Sequence, residues 1–232
     1  MVVKIFADGA RLEDMLAAHK VGSVSGFTTN PTLMRKAGIT DYKGFAHKVL
    51  EQIKDVPISF EVFADDLPTM KTQALEIASW GENVYVKIPV SNTKGISTAP
   101  LIHDLAKSGV KLNITAIFTL EQVSEVVDAL SPDVSAFVSV FAGRIADTGV
   151  DPLPLMKTAL EICKKKPKAE LLWASPREVL NIYQADEMGC HIITVTPDLV
   201  SKLSLQGKSL AEFSLETVQM FYRDANAAGF SL

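Results

Sequence analysis

The sequence predicts an α/β fold, a (β/α)8 TIM barrel with an additional C-terminal helix. Three observations lead there. Eight short apolar runs alternate with longer amphipathic stretches along the whole 232-residue chain, the pattern of strands and helices that builds a parallel sheet. Polar side chains break those runs at or near their C-terminal ends, the face on which such barrels carry their chemistry. No glycine-rich phosphate turn follows the first run, as a doubly wound open sheet would suggest. Barrels of roughly 250 residues fold around one core, so residues 1–232 are expected to form a single domain, with 1–205 as the barrel and 206–232 as a helical extension.

The strand runs fall at residues 3–7, 23–28, 57–64, 83–88, 110–116, 134–141, 169–175 and 191–196. Between them, residues 11–20, 41–54, 68–80, 97–107, 120–130, 152–164 and 177–187 place apolar side chains three and four apart, the helical period. Asp65-Asp66-Leu67-Pro68 and Ser175-Pro176-Arg177-Glu178 join a capping side chain to a proline in the first turn. Gly22, Gly81, Gly109 and Gly189 follow helix ends, where a left-handed residue is wanted. Lys164-Lys165-Lys166 reads as a solvated helix end that complements the dipole, before Pro167 stops the chain from continuing. Residues 212–228 make one more amphipathic helix, expected to cover the site or to pack on a neighbouring subunit.

Composition narrows the function. Apolar residues make up 47% and charged residues 22%, ordinary for a globular chain, and no apolar run approaches the roughly 20 residues of a membrane span. The first eight residues, Met1 to Asp8, meet charge too early for a signal peptide. A net charge of −4 gives no attraction to nucleic acid or to an acidic membrane face. Cys163 and Cys190 lack the spacing of a zinc site and read as buried thiols in a reducing compartment. The four histidines are scattered, with His103 and His191 read as surface or packing residues. A cytoplasmic, metal-independent protein is expected.

Side chains alternate across a strand. In the first run Lys4, Phe6 and Asp8 oppose Val3, Ile5 and Ala7, and in the third Ser59, Glu61 and Phe63 oppose Ile58, Phe60 and Val62. In the fourth Tyr85 and Lys87 oppose Val84, Val86 and Ile88, and in the fifth Lys111, Asn113 and Thr115 oppose Leu112, Ile114 and Ala116. The apolar sets must face the helix layer, which leaves the polar sets facing the lumen. Asp8, Glu61, Lys87, Thr115, Ser139 and Ser175 then converge on one mouth.

Lys87 is the only charge in Asn83-Val84-Tyr85-Val86-Lys87-Ile88-Pro89-Val90. Burial there disfavours an ammonium and frees the amine to attack a carbonyl. A strand-end lysine also snorkels into water; the carboxylates and hydroxyls converging beside this one favour amine catalysis on a ketone. Arg144 and Arg177 follow the sixth and seventh strands, where guanidinium forks suit a phosphate. Trp80 and Tyr85 read as core, Met15, Met34 and Met156 as gap fillers, and Arg35 and Lys36 as solvent-exposed helix positions, with reach to the substrate anion as the alternative.

These residues also carry a family resemblance. Gly26-Phe27-Thr28-Thr29-Asn30-Pro31-Thr32-Leu33 resembles the GxTTNPS/TL signature of the transaldolases, and Val86-Lys87-Ile88-Pro89 resembles their Schiff-base strand. Leu112-Asn113-Ile114-Thr115, Ser139-Val140-Phe141-Ala142-Gly143-Arg144-Ile145 and Ala174-Ser175-Pro176-Arg177 are similar to further family segments, in family order, over nearly the whole chain. The length resembles the short subfamily that includes the fructose-6-phosphate aldolases.

The resemblance implies that Lys87 forms a Schiff base with a ketose C2 carbonyl and that Asp8 takes the proton from the C4 hydroxyl. It implies that Glu61 with Thr115 holds the water of the proton transfers. Thr28, Asn30, Asn113, Ser139 and Phe141 would line the three-carbon donor, with Arg144, Ser175 and Arg177 on the phosphate. It implies sugar-phosphate substrates, no metal or organic cofactor, and a homo-oligomer, a ring of five or ten subunits built partly through Phe213, Val218 and Phe221 of the last helix. Short aldolases of the family carry glutamine at the position of Glu61 and tyrosine at that of Phe141, so the expectation is transfer to an aldose phosphate rather than release of free dihydroxyacetone. Pro176, Trp173, Val140 and Ala142 depart from the family pattern and point to a non-standard donor as an alternative. A non-catalytic sugar-phosphate-binding barrel is the reading from another class.

Overall fold

The computed structural model describes residues 1–231. Eight parallel strands close a barrel in chain order: β1 (Lys4–Asp8), β2 (Gly26–Thr28), β3 (Ile58–Glu61), β4 (Val84–Pro89), β5 (Leu112–Ile117), β6 (Ala136–Val140), β7 (Ala169–Trp173) and β8 (Ile192–Val195). The ring shuts where β1 pairs β8, Lys4 opposite Ile192 and Ala7 opposite Val195. The helices are α1 (Leu12–Val21), α2 (Pro31–Lys36), α3 (Tyr42–Gln52), α4 (Leu67–Ala78), α5 (Ala99–Lys107), α6 (Leu120–Ala129), α7 (Ala142–Ala146), α8 (Leu153–Cys163), α9 (Leu180–Glu187), α10 (Pro197–Ser201) and α11 (Leu210–Ala228).

Alternation sorts the side chains as expected. Ile58 and Phe60, Val84, Val86 and Ile88, Leu112 and Ile114, and Leu171 and Trp173 are buried against the helix layer. Trp173 therefore faces away from the lumen and does not shape the site. Below the polar strand ends, Phe6, Phe137, Leu172 and Ile192 fill the lumen, with Tyr85 stacked on Phe137 at 4.1 Å between ring centres. This packed layer is a floor, so the barrel is a core with one open mouth rather than a pore. Met15, Met34 and Met156 are buried, as gap fillers should be. Lys4 and Lys111 stay at the opposite, N-terminal face, where Lys4 pairs with Glu170 and Lys111 donates to the Glu82 carbonyl.

Several boundaries move. Asp66 caps α4 as expected, accepting from the Thr69 N–H at 2.9 Å. The segment at Ser175 does not start a helix: Ser175 is left-handed (φ 58), and α9 begins only at Leu180. Asn181 instead accepts from the N–H groups of Arg177 and Glu178 and ties that loop down. Gly22, Gly109 and Gly189 are left-handed at helix ends, whereas Gly81 is not among the positive-φ residues. Strand β3 stops at Glu61, since β2 offers only three residues to pair with, and Phe63 is exposed rather than lumen-facing. Short helices α2, α7 and α10 occupy stretches the apolar periodicity leaves blank. Helix α11 starts two residues early and buries none of its residues.

Gly143 lets the mouth close over its sixth and seventh strands. A Cβ there would lie 1.4 Å from the Ser175 carbonyl oxygen, so the backbone of the Ser175 loop rests directly on α7. Because the obstacle is backbone, Gly143→Ala has to move that loop. We expect a stability loss of at least about 1–3 kcal/mol in chemical denaturation, with Arg144 and Arg177 displaced. A variant of unchanged midpoint would show the contact to be loose.

Candidate active site

A cavity of about 550 Å³ opens at the C-terminal ends of the strands. Its lining includes every candidate taken from the sequence: Asp8, Thr28, Asn30, Glu61, Lys87, Asn113, Thr115, Ser139, Phe141, Arg144, Ser175 and Arg177. Register brings the central ones together, with Asp8 opposite Thr28, Glu61 opposite Lys87 and Lys87 opposite Asn113.

Lys87 is buried within β4. Its Nζ donates to the Thr29 carbonyl at 3.0 Å and lies 3.3 Å from Glu61 Oε2. Asp8 ends β1 half-buried and accepts from Thr28 Oγ1 at 2.8 Å, while the same hydroxyl meets that of Thr194. Burial pushes the Asp8 carboxyl above the usual carboxylate range, and the Lys87 charge and the Thr28 hydrogen bond only partly offset this.

A second chain of bonds crosses β3, β5 and β6. Asn113 Nδ2 donates to Ser59 Oγ at 2.9 Å, and Ser139 Oγ donates to Asn113 Oδ1 at 2.6 Å. Beside it the pairing of β5 with β6 slips between Ile114 and Ile117, and Ala116 takes a left-handed φ of 61. The bulge re-aims the strand end. It leaves Thr115 Oγ1 buried with no hydrogen-bond partner among the described residues, an atom that calls for water or ligand. Asn30 uses its Oδ1 to cap α2 at the Leu33 N–H, 2.9 Å away.

The rim is cationic. The Arg144 guanidinium lies 5.0 Å over the Phe141 ring. Arg177 lines the cavity, but its fork is engaged by Asp147, with Nε 2.9 Å from Oδ1 and the Nη2–Oδ2 pair also in contact. Sequence reasoning did not reach Asp147, thirty residues away with no local signal. Lys36 is solvent-exposed as expected, yet it also lines the mouth. Thr194 and Thr196 line it too, and the alternation rule applied to the eighth strand would have found Thr194. The thiols of Cys163 and Cys190 are buried and free, pushed up to about 12 by desolvation, and His191 accepts from the Leu171 N–H at the other face. Among the described residues no cluster of three or more His, Cys, Asp or Glu side chains stands ready for a metal ion, and no helix is long and apolar enough to cross a membrane.

The family model described as "Transaldolase/Fructose-6-phosphate aldolase" matches residues 5–232. The chain belongs to that family. A "Probable transaldolase" of Dehalococcoides mccartyi is 38% identical over 194 residues, covering 83% of this chain and 86% of the relative. Another from Thermoanaerobacter sp. is 35% identical over 196 residues, covering 83% and 85%. Among solved structures, KGPDC from Streptococcus mutans superposes with a TM-score of 0.59 at 13% identity, covering 87% of this chain and 91% of that one, a likeness of fold alone. The chain is thus an enzyme of the transaldolase type.

The elevated Asp8 carboxyl has a measurable consequence. Its ionised form is less favoured in the folded than in the unfolded state, so folding loses stability as pH rises from the ordinary carboxylate range through the raised folded value. Asp8→Asn, which still accepts from Thr28, should raise Tm at neutral pH, and the gain should vanish in acid, where both folded and unfolded wild-type chains are protonated. An equal gain at both pH values would rule out this cause.

Proposed function

We propose that the chain is a transaldolase that moves a three-carbon dihydroxyacetone unit from a ketose phosphate to an aldose phosphate. The observation that carries the reading is a buried lysine amine inside a closed barrel, 3.3 Å from one carboxylate and under the field of a second.

On this reading the Lys87 amine adds to the ketose C2 carbonyl, and loss of water from the carbinolamine gives a protonated imine. Glu61 and the Thr115 hydroxyl, which has no hydrogen-bond partner among the described residues, hold the water that relays those protons. Asp8, made more basic by burial, then takes the proton of the C4 hydroxyl. The C3–C4 bond breaks, its electron pair flows into the imine to leave an enamine on Lys87, and the aldose departs. The enamine adds to the carbonyl of an incoming aldose phosphate, the new alkoxide recovers the proton from Asp8, and hydrolysis frees the product ketose. Asn30, Asn113 and Ser139 bind the donor hydroxyls, Phe141 closes one wall, and Ser175, Arg144 and Arg177 take the phosphate. Glu61 and Phe141 are the pair that favours handing the fragment to an acceptor over losing it to water. The free thiols fit a cytoplasmic setting.

Borohydride with a ketose phosphate should trap an adduct on Lys87, visible by mass spectrometry, and Lys87→Met should give none. Product should form far faster with an aldose acceptor than without. Equal rates would make the enzyme an aldolase that releases free dihydroxyacetone, while normal sugar-phosphate binding with no adduct would make it a binding barrel.

We infer also that the enzyme is a homo-oligomer whose partner is a second copy of this chain. Helix α11 exposes Phe213, Val218, Met220, Phe221 and Tyr222 and buries none of its residues, and exposed large apolar side chains clustered on one element mark an interaction surface. Beside the active site a groove of about 410 Å³ is lined by Met15, Ala18, Val24, Pro197 and Val200, a fitting seat for such a helix. A ring of five or ten subunits follows the family resemblance. Sedimentation should give a multiple of the 25.2 kDa chain, falling toward one chain in Phe213→Glu/Phe221→Glu. A monomeric wild type would defeat the inference.

A further inference from the structure

The edge between β2 and β3 lacks the rung it should have. Phe27 N–H donates to the Pro57 carbonyl at 2.9 Å and Thr29 N–H to the Ser59 carbonyl at 3.2 Å. A parallel ladder continues by the same step, so the next bond would join Glu61 N–H to the Thr29 carbonyl. Instead the Thr29 carbonyl accepts from Lys87 Nζ at 3.0 Å. Glu61 N–H turns to the hydroxyl of Tyr42 at 2.7 Å, and that hydroxyl donates onward to the Glu61 carbonyl at 2.9 Å. One side-chain oxygen thus satisfies both main-chain groups of Glu61 where the neighbouring strand has run out.

The hydroxyl is itself firmly held. Tyr42 is the first residue of α3, fixed by the Asp41 cap on the Gly44 N–H at 2.9 Å. Its ring packs edge-on against Phe60 and Phe63, at 6.4 and 5.7 Å between centres, and lies 6.0 Å from Trp80. Burial pushes the phenol above its ordinary value, so it stays neutral and serves as donor and acceptor together.

We propose that Tyr42 is a positioning residue for the reaction: its hydroxyl stands in for the missing strand, fixes Glu61 beside Lys87, and leaves the Thr29 carbonyl to the lysine amine. The inference rests on the Schiff-base reading, in which Glu61 manages the proton transfers at Lys87. Without the hydroxyl, Glu61 N–H is free to close the rung onto Thr29 and compete with Lys87 for that carbonyl. The Glu61 carboxylate then loses its registration by a fraction of an ångström, which costs rate rather than affinity.

Tyr42→Phe removes one oxygen and keeps the ring, so the barrel retains its packing there. We expect kcat for transfer to fall about ten-fold, the rate equivalent of a hydrogen bond of about 1–1.5 kcal/mol. KM for both sugar phosphates should stay within about two-fold, and the borohydride-trapped adduct on Lys87 should form about ten-fold more slowly. Phe63→Ala loosens the packing on the ring but keeps the hydroxyl, and should retain the wild-type kcat. The proposal is overturned if Tyr42→Phe keeps its kcat, if its KM rises in place of the fall in kcat, or if Phe63→Ala shows the same loss. Absence of any adduct in the wild type removes the Schiff-base reading and this inference with it. Trapping at equal rates in wild type and Tyr42→Phe removes the role of Tyr42 alone.

Discussion

A positively charged amine taken out of water has to be repaid locally, and the site is built around that requirement at Lys87. An unpaired buried charge costs several kcal/mol. The barrel meets the cost with one main-chain carbonyl, from Thr29, and one carboxylate, from Glu61. The carbonyl is free because β2 is only three residues long, and the carboxylate is in place because β3 pairs Glu61 opposite Lys87. Had it continued, Thr29 would have been consumed by the ladder and the lysine would have faced a closed edge. The early end of one strand therefore sets the place of the amine, and the floor of Phe6, Phe137 and Leu172 beneath it keeps the amine at the mouth.

Asp8 and Glu61 show how one cavity holds two carboxylates in different surroundings. Glu61 makes direct contact with the lysine. Asp8 is reached by the lysine only through its field, and desolvation outweighs that attraction and the Thr28 bond together. A group so poised is a better base than a surface aspartate and still has a hydroxyl to steer it. On the proposed mechanism this division matches the tasks: the carboxylate in contact with the amine handles imine protons, and Asp8, raised by burial, draws the proton that starts carbon–carbon cleavage.

What was legible in the chain was whatever local period or burial dictates. A lone charge among β-branched residues gave Lys87, and period-two alternation separated Glu61, Asn113 and Asp8 from the outward apolar set. Pairing across the fold was not legible. Val62-Phe63-Ala64 reads as strand by composition, but a strand needs a neighbour, and β2 had already turned into α2. That helix announces itself by Asn30 and Pro31, a cap and a first-turn proline, yet six residues are too few for the apolar period to register. Tyr42 carries no signal of its own in the sequence, because its hydroxyl acts on a strand nineteen residues away. Asp147 is silent in sequence for the same reason, and its hold on Arg177 emerges only when α7 is folded against the Ser175 loop.

That hold bears on how the rim receives an anion. Arg177 shares its fork with Asp147, which holds the guanidinium in one orientation and stabilises its charge. Arg144 lies on the Phe141 ring instead, with the same aspartate close enough to be affected by its charge. On the proposed function, one arginine is therefore pre-set by an anion that the incoming phosphate must share or displace, while the other rests on a neutral face. The two make unequal contributions. Arg177 offers geometry at the cost of competition, and Arg144 offers net charge with little to give up. Because Phe141 carries Arg144 on one side and meets Phe118 on another, 5.6 Å between ring centres, the wall that seats this arginine is also the apolar wall of the donor pocket. Phosphate capture and exclusion of water from the enamine are then tied to one side chain, and a hydroxyl added to that ring would disturb both.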